Sequence, residues 1–492
     1  MRARYRACIL SLLVPLALQG QDIGLLRLDP ETGNRGKAGV YGGYEAGGYH
    51  PAFAPASLWK AGASAQGTHH GEYTSYTGSF SFEQIEGKDQ FMSMFLEPGY
   101  FPVDVLEFTP GDKTRQTYKL GGGFATTFAE EFVFGVKADY LSANYAKRKD
   151  IRHTTYGMDL QVEPTFAVVS DDIGISVAYV FRKRTETIDA EQVGAATDQS
   201  YFAFLDKGMR YGTYQVWDGD GIHLDEAGVG LLPVRENGQG LALQLATRPF
   251  NGKLTVLWKQ GSAGEKGYTW FRFPGFSFTD ELFGFHEAGA FTGRWGLGIR
   301  LESDQLEESV LEKRTEGGVT VPVVHAFNKV SHRTHGRVDA SYGMAFRRGM
   351  LRDLKAALQY IVWEEESYLG YPYTDRLDLS LGSALVEAGF EAGRFRLDLG
   401  GRFGLGGKQE KGLGEVLEEA PVQPFRLQGD WDRKMEYMTA TRCGAEARLT
   451  WRPAFLPGAY IAAEGSWLHG FNLTVLPGSD RICAGLRLGY GF

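Results

Sequence analysis

After its first twenty positions this 492-residue chain contains no stretch of eighteen uncharged apolar residues, which excludes membrane-spanning helices. Cysteine is nearly absent: there are three, and Cys8 falls too early in an N-terminal apolar run to be a lipoprotein cysteine. Basic charge is not in excess, since the formal net charge is −8, and this argues against a nucleic-acid partner. No repeat of fixed period is found. What the chain does have is glycine, 66 residues, and aromatics at 13%, with a mean hydropathy of −0.26.

The N-terminus points to export. Arg2, Arg4 and Arg6 precede the apolar run Cys8 to Leu18, which is too short to span a bilayer but suits a signal-peptide core. Residues 1–20 are therefore expected to be a signal peptide.

Periodicity decides the class. Along 394–405, Phe395, Leu397, Leu399, Phe403 and Leu405 share one face, and Arg394, Arg396, Asp398 and Arg402 share the other. Successive strand side chains point to opposite faces, so one side is apolar and the other densely charged. The pattern returns at 118–128, 132–140, 156–168, 173–181, 338–346, 435–451 and 482–492, and several of these segments are long enough for a tilted membrane crossing. Soluble β-sandwiches and β-helices also alternate. Against them stand aromatics near segment ends (Phe128, Phe132, Tyr140, Trp451, Tyr490, Phe492) and connections that alternate between tight and long, as in membrane barrels. The expected fold is all-β: a transmembrane antiparallel up-and-down β-barrel over residues 71–492. It should have about sixteen strands, with fourteen to eighteen open, and long outer loops at 85–113, 188–237, 263–283, 303–333 and 407–433. Pro164 on a lipid face is a blemish, because proline removes a ladder donor. The Gly-rich segment 21–70 reads as a tail, a first strand or a small plug. Cys443 falls on a lipid face and Cys483 on a lumen face, with a strand between them, so no disulfide is expected.

Two resemblances add to this reading. The end Gly485-Leu486-Arg487-Leu488-Gly489-Tyr490-Gly491-Phe492 looks like the terminal strand signal of outer-membrane barrels. It implies that Tyr490 and Phe492 are read by the barrel-assembly machinery, and that the protein resides in the outer membrane of a Gram-negative bacterium. Residues Tyr100 to Thr114, leading into Tyr118 to Phe124, resemble a segment of an uncharacterised Bacteroidota outer-membrane barrel family. That resemblance implies a role in nutrient or metal uptake beside TonB-dependent receptors, and it carries no functional residues over.

The lumen charges are the most concrete functional surface: Lys119, Lys137, Asp139, Asp159, Glu163, Arg337, Asp339, Arg394, Arg396, Asp398, Arg402, Arg442, Glu446, Arg448 and Arg487. In a water-filled lumen such residues select and steer ions; alternatively, opposite charges pair across the wall and fill it. The C-terminal strands lean basic through Arg394, Arg396, Arg402, Arg442, Arg448, Arg481 and Arg487, which could attract anions. His69-His70 and the group His325, His332, His335 read as ordinary histidines, because neighbours on a strand point apart. Asp218-Gly219-Asp220-Gly221 with Asp225 and Glu226 reads as an acidic turn lacking the later spacing of a calcium loop. No metal or cofactor is expected. Asp150/His153 and Ser466/His469 are the only pairs suggesting a barrel hydrolase, and neither shows a third member. The expected function is a porin-like passive or gated channel, or an accessory, in nutrient uptake. The alternative is a non-conducting barrel that docks a surface lipoprotein or a TonB-dependent receptor, with Phe91, Phe95, Tyr100, Phe101 and Phe108 of loop 85–113 on display.

Overall fold

The computed structural model describes residues 34–149, 151–170, 172–191, 201–217, 231–247, 249–265, 268–316, 319–414 and 425–491. Residues 1–20, Asp150, the acidic stretch 218–226 and Phe492 lie outside them. Alternation produces an antiparallel wall. In chain order it contains β1 (Arg35–Ala46), β2 (Ser57–His70), β3 (Thr74–Ser93), β4 (Asp104–Ala129), β5 (Phe132–Lys147), β6 (Arg152–Val169) and β7 (Ile173–Glu191). An inserted hairpin follows, β8 (Tyr201–Asp206) and β9 (Tyr211–Trp217). The wall resumes with β10 (Leu231–Thr247), β11 (Phe250–Glu265), β12 (Tyr268–Ala288), β13 (Phe291–Glu316), β14 (Val319–Phe346), β15 (Leu351–Ser367), β16 (Thr374–Ala392) and β17 (Phe395–Leu413). A second insert, β18 (Phe425–Arg426) and helix α1 (Gln428–Thr439), precedes β19 (Arg442–Trp451), β20 (Ala459–Gly470) and β21 (Asp480–Gly491).

The ring bypasses both inserts, with β7 pairing β10 and β17 pairing β19. It closes through β1 and β21, from Lys37↔Gly491 to Ala46↔Ile482. Eighteen strands form the wall. Tight turns gather at one rim, as at Gly393, whose φ of +61° suits a two-residue hairpin turn. That rim is the periplasmic one. At Pro164 the β6–β7 ladder lapses between Val162↔Phe181 and Thr165↔Ala178, as a missing N–H requires.

Several boundaries differ from the sequence expectation. The barrel begins at Arg35 rather than residue 71, because β1 and β2 come from the Gly-rich segment. Gly36, Gly39, Gly42 and Gly43 occupy both faces of β1 and erase its alternation. The expected loops 263–283 and 303–333 are largely strand, since β12, β13 and β14 run 21, 26 and 28 residues. Residues 435–439, taken for strand, are helical. Trp431, Met435 and Met438 are buried on one helical face, at the four- and three-residue spacing of a helix rather than the two of a strand.

Along β7, β15 and β16 the alternation inverts. On β15, Leu358, Tyr360 and Val362 face outward and exposed, 63% for Leu358, while Asp353, Lys355 and Gln359 face inward. One turn of the pleat further on, Trp363 (4% exposed) and Glu365 face inward, and Glu364 faces out. On β16 the inward face changes from Glu387 to Leu381, Leu379 and Leu377, while the outward face changes from Val386 to Asp378. On β7 outward Ile175, Val177 and Tyr179 give way to Lys183, and Ile188 is buried inside. The wall therefore has a lipid-facing belt and, above it, a water-facing collar. The largest core lies inside the collar, where Phe95, Tyr100 and Phe101 pack on Ile188, Val234 and Phe273.

Candidate functional site

Four chain segments fold into the collar, and wall side chains hold each of them. In the β3–β4 connection the Leu96 N–H donates to Glu186 (3.0 Å) and the Tyr100 hydroxyl to Glu236 (2.6 Å). The Arg184 guanidinium bridges Glu97 (3.1 Å) and Glu186 (2.6 Å). Arg333 reaches across to donate to the carbonyls of Gly99 (2.8 Å), Tyr100 and Phe101 (3.1 Å). The β8–β9 hairpin pairs with β4 from Asp104↔Asp206 to Glu107↔Ala203. It is pinned to the wall by the Met209 N–H on Glu365 (2.8 Å) and by the Lys207–Glu308 ion pair (2.6 Å).

Helix α1 buries Trp431, Met435 and Met438 against Trp363, Leu377 and Leu379. The Trp431 indole N–H donates to Glu410 (2.8 Å), and Arg210 pairs with Asp430. At its C-terminal end Arg442 donates to the carbonyls of Met438 (3.2 Å) and Tyr437 (3.4 Å), groups that a helix terminus leaves without partners. Glu436 accepts N–H bonds from Val475 (2.9 Å) and Leu476 (2.7 Å) and both bonds of Thr474. Burial raises its pKa, but these bonds outweigh that and hold it below the usual range. In the β1–β2 connection, Arg481 binds Glu45 and donates to the carbonyls of Gly47 (3.2 Å) and Pro55 (3.1 Å).

Beneath the hairpin, Lys113 and Lys147 flank Glu107 at 3.0 Å and 2.6 Å, all fully buried. Burial lowers the Lys113 pKa against the pull of Glu107. Asp104 accepts a hydrogen bond from the Ser93 hydroxyl (2.8 Å). Burial pushes its pKa up to about 7, with Asp206 adding to the rise and Arg210 and Ser93 opposing it. Buried pairs of this kind are weak contributors to stability, but they are costly to break one partner at a time.

Most of the expected lumen charges are in the wall, and most are paired. Lys137 meets Asp139 at 2.9 Å, Asp159 meets Arg182 at 2.5 Å, and Glu163 meets Lys253 at 3.5 Å. Arg337 grips Asp339 through two nitrogens, at 2.5 Å and 2.9 Å. Arg396 pairs with Asp398 (2.8 Å) and Asp353 (2.7 Å), Arg402 with Glu446 (2.6 Å), and Arg448 with Glu464 (3.1 Å). The arginine-rich wall expected on the C-terminal strands is thus neutralised at these positions by carboxylates on its own strand, on a neighbouring strand or, for Asp353, two strands away across Gly389. Arg394 sits exposed in a periplasmic turn, and Arg442 serves the helix end. Of that set, Arg487 alone faces the lumen with neither an ion pair nor a hydrogen bond among the described residues.

The belt is open within. An internal cavity of ≈1010 Å³ is bounded by Tyr41, Lys60, Glu83, Lys119, Arg402 and Arg487 among others, and twelve Lys or Arg line it against seven Asp or Glu. A chain of net charge −8 therefore encloses a basic chamber.

The other candidates separate. His332 and His335 lie on opposite faces of β14: His332 meets Ser303 (3.1 Å) and His335 the Trp363 ring. His325 pairs with Glu312 (2.5 Å), while His69 stacks on Tyr76 and His70 contacts Ser75 (3.1 Å). Among the described residues no three His, Cys, Asp or Glu converge as a metal site. Ser466 opposes Cys483 inside and His469 opposes Asp480 outside, so Ser466 and His469 cannot act as nucleophile and base. His153 is buried against Tyr145, and its ring nitrogens have no hydrogen-bond partner among the described residues. Burial, with Lys113 and Lys147, holds its pKa well below the ordinary value. Cys443 and Cys483 are not joined in a disulfide. Cys443 lies opposite outward Phe403 and Cys483 opposite inward Glu45. The aromatics Phe95, Tyr100 and Phe101, expected on display, are buried inside.

An exposed apolar belt, a charged interior and a closed antiparallel ring define a transmembrane β-barrel of the outer-membrane class. Over residues 25–492 the chain belongs to a family of unknown function, DUF6850. No curated protein matches it. Solved barrels resemble it in overall form. A variant of the ferric enterobactin receptor PfeA from Pseudomonas aeruginosa shares 9% identity over 94% of this chain and 81% of its own, at a TM-score of 0.41. The FrpB iron transporter from Neisseria meningitidis shares 9% over 93% and 81%, at 0.38. OccAB3 from Acinetobacter baumannii shares 10% over 93% and 99%, at 0.36.

Proposed function

We propose that the protein is a gated conduit for nutrient uptake in the outer membrane of a Gram-negative bacterium, closed on the outer side by its own loops. The observation that carries this reading is the division of the lumen: a packed plug fills the collar, above the ≈1010 Å³ chamber in the belt. An open porin of this strand number leaves a continuous aqueous channel, whereas here Trp431, Phe95 and Phe204 occupy the outer half at 2% exposure or less. The plug consists of connections between wall strands, so opening means rearranging loops around fixed strands. In planar bilayers the native protein should be silent or open briefly. Replacing residues 428–439 by a flexible linker should give sustained conductance. Silence of that variant, with heat-modifiable migration showing a folded barrel, would refute the reading.

A second reading, a non-conducting barrel that docks a surface lipoprotein or TonB-dependent receptor, is favoured by the β13–β14 hairpin. Above Glu308 and Ser331 these strands pair only with each other, forming an arm above the collar. A stoichiometric partner that is lost on trimming 309–330, together with a lumen that stays silent after helix removal, would make docking the better account.

A further inference from the structure

Where the barrel closes, its inner face carries cations that the wall does not neutralise. Lys37 on β1, Lys60 on β2 and Arg487 on β21 all border the belt chamber. Among the described residues none of the three makes an ion pair, while Arg396, Arg402, Arg448 and Arg481 nearby each do. The Arg487 Nε is buried without a hydrogen-bond partner, and its guanidinium stands 5.6 Å from the Tyr41 ring centre. Glu83, the acidic neighbour on β3, is engaged by the Tyr41 hydroxyl (2.7 Å) and faces Arg115 at 4.0 Å. Gly62 makes that reach possible, because a Cβ there would lie 2.5 Å from the Tyr41 ring.

Strand register spaces the three cations along the direction of β1. Lys37 lies opposite Gly491 at the periplasmic rim, Arg487 opposite Tyr41, and Lys60 opposite Gly43. At about 3.3 Å per residue the strip runs roughly 20 Å along the strand from the rim. Between its charges Gly43, Gly485 and Gly489 leave room for neighbouring wall side chains: a Cβ would lie 3.1 Å from Lys60 at Gly43 and 3.2 Å from Glu464 at Gly485, and at Gly489 it would run into the Tyr460 ring.

We propose that this strip is a binding site for a solute carrying two or more oxyanion groups, phosphate or carboxylate. A single small anion would satisfy one cation and leave the others uncompensated in a wall of low dielectric. A solute with spaced oxyanions engages the planar fork of Arg487 and the point charges of the lysines together. The site rests on the conduit reading for its part in transport, and not for binding itself.

The test is isothermal titration of the full-length protein, refolded in detergent at low ionic strength, with inorganic pyrophosphate and separately with citrate. At least one should bind. Combining Lys37→Gln, Lys60→Gln and Arg487→Gln should weaken binding by about tenfold or more, and added salt should weaken it too. Lys88→Gln, on an exposed pair with Asp112, should leave it unchanged. Preference for pyrophosphate assigns the strip to phosphorylated solutes, and preference for citrate to polycarboxylates. Binding of neither, or undiminished binding by a folded triple variant, overturns the proposal. Should the triple variant not fold, each single substitution must still weaken binding, or the proposal falls. Binding to a barrel that stays silent after helix removal would leave this site standing and defeat the conduit reading alone.

Discussion

The belt and the collar are made of the same strands, yet inside and outside exchange chemistry between them. In the belt the solvent outside is lipid, so Leu358, Tyr360 and Val362 face out and Gln359 faces in. In the collar the outside is water and the inside is a folded plug, so Glu364 faces out while Trp363 and Leu377 are buried within. A strand needs an apolar face wherever water is excluded, and which face that is depends on its surroundings. The collar therefore behaves like a soluble domain turned outside in, with its core at the centre of a ring.

The largest expected effect tests the exchange directly. Leu377→Arg places an unpaired charge in the plug core and should cost about 3–5 kcal/mol, as broken buried pairs do, while Asp378→Arg next to it should be nearly silent. In the belt the polarity of the result reverses. Leu358→Arg should cost about 2–4 kcal/mol against lipid, and Gln359→Arg much less. Urea midpoints in detergent read both pairs; equal tolerance within either pair would misplace the boundary. A smaller effect separates plug from wall. Tyr100→Phe deprives buried Glu236 of a donor, and should cost about 1.5–3 kcal/mol, loosening loop 94–103. Faster protease cleavage there, with the barrel's heat-modifiable migration unchanged, is the expected outcome.

The last effect is a pH dependence confined to the collar. Asp104, ordinarily near 3.8, titrates at about 7 when folded. The folded state then holds a proton that the released state gives up, so the contribution is full below about 4 and is lost as pH rises through about 7. Loop cleavage should accelerate over that interval, and Asp104→Asn should flatten it. A dependence that survives in the variant would assign it to another group.

Much of the barrel was legible in the sequence. Segments 118–128, 132–140, 395–405 and 482–491 lie on β4, β5, β17 and β21 with the expected faces outward, and sixteen of the wall strands lie beyond residue 71. β1 escaped because glycine leaves no face to read, and β2 because Ala61, Gly62, Ala63, Ser64 and Ala65 put small residues on both faces. Helix α1 escaped although Trp431, Met435 and Met438 repeat at four and three residues, since strand alternation runs into the same residues from Arg442.

The site was less legible than the wall, for a physical reason. Charge and its face are properties of a strand taken alone, and Arg396, Arg402 and Arg487 could be assigned to the lumen from their neighbours in the chain. Whether each is neutralised depends on strands near it in the ring: Glu446 reaches Arg402 from the next wall strand, Asp353 reaches Arg396 from two strands away, and no carboxylate among the described residues pairs with Arg487. Local periodicity determined that this chain makes a barrel with an apolar outside. Only closure of β1 onto β21, and the infolding of loops far apart in sequence, decided that its outer half is filled and where its inner half keeps unpaired positive charge.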